Sequence, residues 1–126
     1  MIFLKRAYEH ADSDGGPRFL VDGIWPRGVD KKSLKVKKWL KELAPSAELR
    51  GWFNHDPKRW KQFQRRYFTE LKKKPEAWEP LLEVAKKCDL TFVYAARDTD
   101  HNNAVALKEY LLKQLRHKRR LTSLTD

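Results

Sequence analysis

The stretch Leu90-Thr91-Phe92-Val93-Tyr94-Ala95-Ala96 constrains the fold more than any other part of this chain, because it is nearly unbroken apolar and rich in β-forming residues. A strand with one wet face alternates apolar and polar residues. A continuous apolar run marks a strand covered on both faces, the usual situation in a parallel sheet. Such a strand needs layers above and below it, and the rest of the chain carries the helical patterns to supply them.

Two further strands are expected, Ile2 to Tyr8 and Arg18 to Asp22, separated by the turn-rich Asp12-Ser13-Asp14-Gly15-Gly16-Pro17. The loop Gly23-Ile24-Trp25-Pro26-Arg27-Gly28 follows, kept irregular by Pro26 and Gly28. Ser33 predicts an N-cap for a helix through about Leu43, with Val36, Trp39, Leu40 and Leu43 on one face. Ala44-Pro45-Ser46 breaks it, and Ser46 caps a shorter helix carrying Leu49 and Phe53.

Asp56-Pro57 is a strong helix start, an acidic cap with proline in the first turn. Trp60, Phe63, Tyr67 and Leu71 then recur at helical spacing until Lys74-Pro75. A helix over about Glu76 to Lys87 turns Trp78, Leu81, Leu82 and Ala85 inward. Asp98, Thr99 or Asp100 is expected to cap a last helix that buries Ala104, Leu107, Leu111 and Leu115. The pattern describes one small, layered, Rossmann-like α/β domain over 1–115, a mostly parallel short sheet flanked by about five helices. Residues 116–126 form a basic, frayed tail without periodicity. No repeat, linker or second domain is visible.

Composition excludes several classes. The 126 residues include five Trp, six Phe and four Tyr, enough aromatic bulk for a core and too much for a disordered basic tail. No apolar run approaches the roughly 20 residues of a membrane span. The opening Met1-Ile2-Phe3-Leu4-Lys5-Arg6 does not read as a signal peptide, so a cytoplasmic protein is expected. The single cysteine, Cys88, excludes an internal disulfide and a cysteine-rich metal site. Tyr94 stands six residues after it, where a tyrosine-phosphatase loop needs arginine, so Cys88 reads as a buried small residue. The formal charge of +11 favours encounters with polyanions without naming one.

Open parallel sheets bind ligands outside the carboxyl ends of their strands. Here those ends are Lys5-Arg6, Asp22 through Arg27, and Arg97 through Asn103. If the strands are parallel, Arg6, Arg27 and Arg97 meet on one rim beside Asp22, Asp98 and His101. The first two strands are joined by only about nine residues, whereas parallel crossovers usually take a dozen or more. An antiparallel hairpin would send Arg6 to the opposite edge.

The segments Val21-Asp22-Gly23-Ile24-Trp25-Pro26-Arg27-Gly28, Leu43-Ala44-Pro45-Ser46 with Leu49-Arg50, and Tyr94-Ala95-Ala96-Arg97-Asp98-Thr99 with His101-Asn102 together resemble the YeaO-like family. This is a bacterial and archaeal branch of a larger superfamily of domains of unknown function. The similarity runs in order from about Leu4 to Leu115. The family carries no assigned activity, so the resemblance implies a fold more than a reaction. Longer relatives place a helix between the first two strands, which implies a parallel arrangement. The family's recurrent polar positions fall on Arg6, Asp22, Trp25, Arg27, Ser46, Arg50, Arg97, His101 and Asn102. Relatives commonly carry arginine after the aspartate of the second strand, where this chain has Gly23.

The functional expectation is a domain that binds an anionic, phosphate- or carboxylate-bearing ligand at an arginine-rich strand-end cleft. It extends to an enzyme acting on a nucleotide or phosphate compound. Arg6, Arg27 and Arg97 would clamp the anion, with Trp25, Ser46, Arg50 and Asn102 as further ligand contacts. Asp22, Asp98 and His101 are the proton-transfer candidates. Each has a plain structural alternative: the arginines tie loops to Asp22, Asp98 or Glu48, Ser46 and His101 serve a helix start, and Trp25 plugs the core edge. His55-Asp56 has the look of a metal dyad, but capping already explains Asp56. No metal and no cofactor are expected, and no Gly-rich nucleotide loop occurs.

The alternative function is a non-enzymatic nucleic-acid-binding module. It would use the basic helix 57–74, where eight basic residues interleave with aromatics, and the run Arg116-His117-Lys118-Arg119-Arg120. The aromatics share one helical stripe and belong in the core, which leaves a solvated basic face as the plain reading.

Overall fold

The computed structural model describes the backbone of residues 1–9 and 14–125, and side chains as far as Lys118. The turn expected at Asp12-Ser13 and the side chains of Arg119 and Arg120 lie outside the described residues. In chain order the elements are β1 (Ile2–Arg6), β2 (Arg18–Leu20), α1 (Lys31–Leu34), β3 (Lys38–Trp39), α2 (Ala47–Phe53), α3 (Trp60–Lys72), α4 (Pro75–Lys87), β4 (Leu90–Tyr94) and α5 (Asn103–Thr125).

The sheet has the order β1-β4-β2-β3 and every pair is parallel. The apolar run is therefore a central strand, and all five residues of β4 are buried. Leu90, Phe92 and Tyr94 enter the larger core together with Phe63, Tyr67, Leu82 and Leu107. Val93 faces the smaller core on the other side, with Ala7, Leu20 and Leu34. The two-residue period of a strand thus distributes one apolar segment between two layers.

The short link between β1 and β2 is compatible with parallel strands because they are not neighbours and because both are short. Phe3 of β1 and Arg18 of β2 lie level with the same residue, Thr91 of β4. From Arg6 the chain must return about 10 Å along the strands and cross about 10 Å of sheet. Residues 7–17 reach at most about 36 Å when extended, so no helix is needed.

The helix expected from Ser33 to Leu43 does not form. Asp30, not Ser33, caps α1 by accepting from Ser33 N at 2.7 Å, and Lys35 ends it in the left-handed region at φ 53°. The chain then extends along β2, where Lys37 N donates to Arg18 O at 2.7 Å and Leu40 N to Leu20 O at 2.8 Å. The open edge of β2 offered backbone groups that had to be satisfied, and that requirement outweighed local helix propensity.

Elsewhere the expected caps are largely observed. Ser46 caps α2 through Leu49 N at 3.1 Å, and Asp56 accepts from Lys58 N at 3.0 Å ahead of a 3-10 turn, Pro57–Arg59, that leads into α3. The cap of α5 is Asn102, whose Oδ1 accepts from Val105 N at 3.0 Å, instead of Asp98, Thr99 or Asp100. The helix α5 continues through 116–125, the stretch that lacks apolar periodicity. Cys88 is exposed at the end of α4, not buried, because the last turn aims it away from both cores. Among the described residues no helix is long and apolar enough to cross a membrane.

Candidate functional site

The carboxyl ends of β2 and β4 open side by side, and the loops leaving them, the C-terminal half of α2 and the start of α5 enclose one cavity of about 700 Å³. A volume of this size suits a small organic ligand. Arg27, Arg50 and Arg97 line it, together with Asp22, Asp98, His101 and Asn102 from the expected site. The remaining wall is largely apolar, with Trp25, Pro26, Phe53, Phe63, Ala95 and Ala96.

Asp22 follows Val21 where β2 has run out of ladder partners, which turns its carboxylate towards the end of β4. Its Oδ2 accepts from Ala95 N at 2.9 Å, so it clasps the two strand ends together. Burial pushes this carboxyl above the usual range, opposed by the Ala95 amide, by Asn103 and by the positive charge of Arg50. Trp39 Nε1 donates to the carbonyl of Asp22 at 2.7 Å, and Asn103 Nδ2 to that of Val21 at 2.8 Å.

Arg50 rises from the last turn of α2 and lies over Gly23. A β-carbon on Gly23 would stand 2.9 Å from Arg50 Nη1 and 3.1 Å from its Cζ. Arg50 Nε is buried and has no hydrogen-bond partner among the described residues. A buried donor without a partner is costly, and the side chain that carries it also lines the cavity. Arg27 and Arg97 are exposed at the same cavity, and their side chains make no hydrogen bond or ion pair among the described residues.

The loop after β4 folds around Asp98. Its Oδ1 accepts from Asp100 N at 2.9 Å and His101 N at 3.0 Å, and its Oδ2 pairs with His101 Nδ1 at 2.9 Å. The Asp100 amide, then the His101 ring, hold the Asp98 carboxyl below its ordinary range. The His101 ring stands edge-on to Trp60 at 5.3 Å between centroids. Asn102 is 3% exposed, donates to Asp98 O at 2.9 Å and caps α5, so both ends of its amide are engaged in the backbone.

Two expected residues stand apart from the cavity. Arg6 donates through Nε to Ala96 O at 2.9 Å and through Nη2 to Ala95 O at 3.3 Å, with its guanidinium 5.3 Å from the Tyr8 ring. It braces the loop after β4 from outside and is not among the lining residues. Ser46 is closed off by the chain's own anion: its N and Oγ donate to Glu70 Oε1 and Oε2 at 2.8 and 2.7 Å. Trp25 lines the cavity and also plugs the smaller core, with Nε1 donating to Val29 O at 2.6 Å and its ring meeting Trp39 edge-on at 5.4 Å.

His55, Asn103, Phe53 and Phe63 also line the cavity without having been expected there. His55 reaches it because Asn54 and His55 both adopt left-handed backbone, at φ 46° and 54°, and turn the chain back under α2. The Asn at position 54, a residue tolerant of that conformation, was the available signal. Among the described residues, no group of three or more His, Cys, Asp or Glu side chains gathers in a way that could hold a metal ion.

A family model described as "Inactive DUF488-N3 subclade" matches residues 1–125. The chain is similar to "Uncharacterized protein YeaO" of Escherichia coli (strain K12), with 38% identity over 110 residues, 87% of this chain and 96% of that protein. It is also similar to "Uncharacterized protein Rv3073c" of Mycobacterium tuberculosis (strain ATCC 25618 / H37Rv), at 40% identity over 110 residues, 87% of this chain and 92% of the relative. "Uncharacterized protein Mb3100c" of Mycobacterium bovis gives the same figures. No solved structure matches the chain.

Proposed function

Since the chain belongs to the DUF488-N3i family, we propose that it is a binding domain for a small organic anion, held in the strand-end cavity by Arg27, Arg50 and Arg97. The observation that carries this reading is the buried, unpartnered Nε of Arg50 beside a cavity that also receives two arginines without partners among the described residues. Guanidinium groups that are not consumed by internal carboxylates are the donors an anion would use.

Binding without covalent chemistry is favoured by two points. The family description calls its subclade inactive, and the lining residues include no serine, threonine, cysteine or lysine. The lining carboxylates Asp22 and Asp98 are already engaged by backbone amides and, for Asp98, the His101 ring. Asp22 and the Asp98–His101 pair then act on the ligand through charge, not through bond making. Asp22 limits how much negative charge the cavity accepts, and Asp98 fixes the His101 ring at its edge.

A thermal-shift screen of carboxylates, phosphates and nucleotides tests the reading. A hit should raise the melting temperature of the native protein, and Arg27→Ala or Arg97→Ala should remove that rise. A hit retained in full by both variants, or none in the whole panel, would overturn it.

A further inference from the structure

The same cavity carries information about which anion it takes. We infer that its ligand is an organic carboxylate with an apolar, ring-sized body, and not a phosphate ester; this rests on the anion-binding reading above and narrows it.

Phosphate sites in α/β domains are made chiefly of backbone amides, from a glycine-rich loop and the first turn of a helix. Three of the amides best placed for that task are already engaged here. The amides of Asp100 and His101 bond to Asp98, and the amide of Val105 in the first turn of α5 bonds to Asn102. The loop from Ala95 to Asn103 has no glycine to let a phosphate approach the backbone closely. Gly23, the glycine among the lining residues, is covered by the Arg50 guanidinium. The chain's own carboxylate, Asp98, has taken the place of an anion in that loop.

The cavity is lined by guanidinium forks without a carboxylate partner among the described residues, those of Arg27, Arg50 and Arg97. A planar fork matches the two coplanar oxygens of a carboxylate in a bidentate pair. The charge balance agrees, since three lining arginines face two lining carboxylates, Asp22 and Asp98. A small positive excess suits a single negative charge, and the ionised form of Asp22 would repel a dianion at short range.

The rest of the cavity describes the body attached to that charge. Phe53 and Phe63 stack at 4.4 Å between centroids, and they line the cavity, as do Trp25 and Pro26. Ile24, 69% exposed, extends the apolar surface to the mouth. A cavity of about 700 Å³ is far larger than a carboxylate alone, so most of a fitting ligand lies against carbon. An aromatic or branched aliphatic acid satisfies both halves.

Isothermal titration calorimetry with four probes decides the matter: 1-naphthoate, its neutral analogue 1-naphthalenemethanol, inorganic phosphate and AMP. The expected result is saturable binding of 1-naphthoate, roughly tenfold or more tighter than any of the others. Arg50→Gln and the exposed-site variant Arg97→Gln should each weaken it about tenfold, the second without any question of folding. Tighter binding of AMP or phosphate would overturn this inference while leaving an anion site in place. Equal binding of 1-naphthalenemethanol would overturn it too, because the arginines would not be reading a carboxylate. Failure of every charged probe would overturn the anion site itself.

Discussion

The guanidinium of Arg50 occupies the space that a side chain on Gly23 would fill, with Nη1 2.9 Å from the β-carbon position. One residue's missing side chain therefore sets another residue's conformation, and the pair fixes the positive corner of the strand-end cavity. Gly23 has no positive φ, so its importance lies in space and not in backbone freedom.

Gly23→Ala should displace the Arg50 guanidinium without straining the chain, since the obstructing atoms are the far end of a flexible side chain. The melting temperature should stay within a few degrees of the parent, while the affinity for 1-naphthoate measured by calorimetry falls several-fold. Unchanged affinity would show that the guanidinium does not need its seat over Gly23.

Asp22 predicts the pH behaviour. Burial raises its carboxyl pKa in the folded chain above the ordinary value of 3.8. The folded state then holds this proton more tightly than the unfolded state, so the contribution of Asp22 is most favourable below 3.8 and declines as pH rises through the raised value. Asp22→Asn keeps an acceptor for the Ala95 amide and removes the buried charge. It should raise stability in urea melts at pH 7, with the gain vanishing below pH 3.8, and it should strengthen anion binding at pH 7. A loss of stability at pH 7 would mean that the hydrogen bonds and the nearby positive charge of Arg50 outweigh the burial of Asp22.

Much of this architecture is legible in the sequence because it depends on local patterns. The apolar run Leu90–Tyr94 gave away the central strand, and Ser46 and Asp56-Pro57 gave away two helix starts. The rest depends on contacts distant in sequence. Lys38–Trp39 became strand because the edge of β2 was open, which no window around Trp39 reveals. Arg6 reads as a clamp residue until the carbonyls of Ala95 and Ala96, some ninety positions away, are seen to take its donors. Arg50 is among the expected ligand contacts, but its seat over Gly23 at the cavity is announced by nothing in the helix pattern of α2.

Ser46 separates structural from functional polar residues. Ser46→Ala removes the cap of α2 and half of the grip on Glu70, costing about 1 kcal/mol in chemical denaturation. Binding of 1-naphthoate should be unaffected. A large loss of affinity at unchanged stability would return Ser46 to the site.

The basic face of α3 is a separate electrostatic feature. Arg59 and Arg66 are already engaged with the Trp52 ring at 5.2 and 4.3 Å. Lys58, Lys61 and Arg65 remain exposed on that side. Reversing these three to Glu should shorten retention on a heparin column and flatten its salt dependence, leaving 1-naphthoate affinity nearly unchanged. Parallel losses of both would make the face and the cavity one site.

The most direct test follows the Arg50 Nε–H itself by proton–nitrogen NMR, with its resonance assigned from its disappearance in Arg50→Lys. Titrating 1-naphthoate should shift that signal saturably, because the carboxylate binds beside the guanidinium of which this N–H is part. The Arg6 Nε–H, already bonded to Ala96 O, should stay in place. Saturation of the protein with the Arg50 signal unmoved would contradict the assignment of this cavity as the anion site.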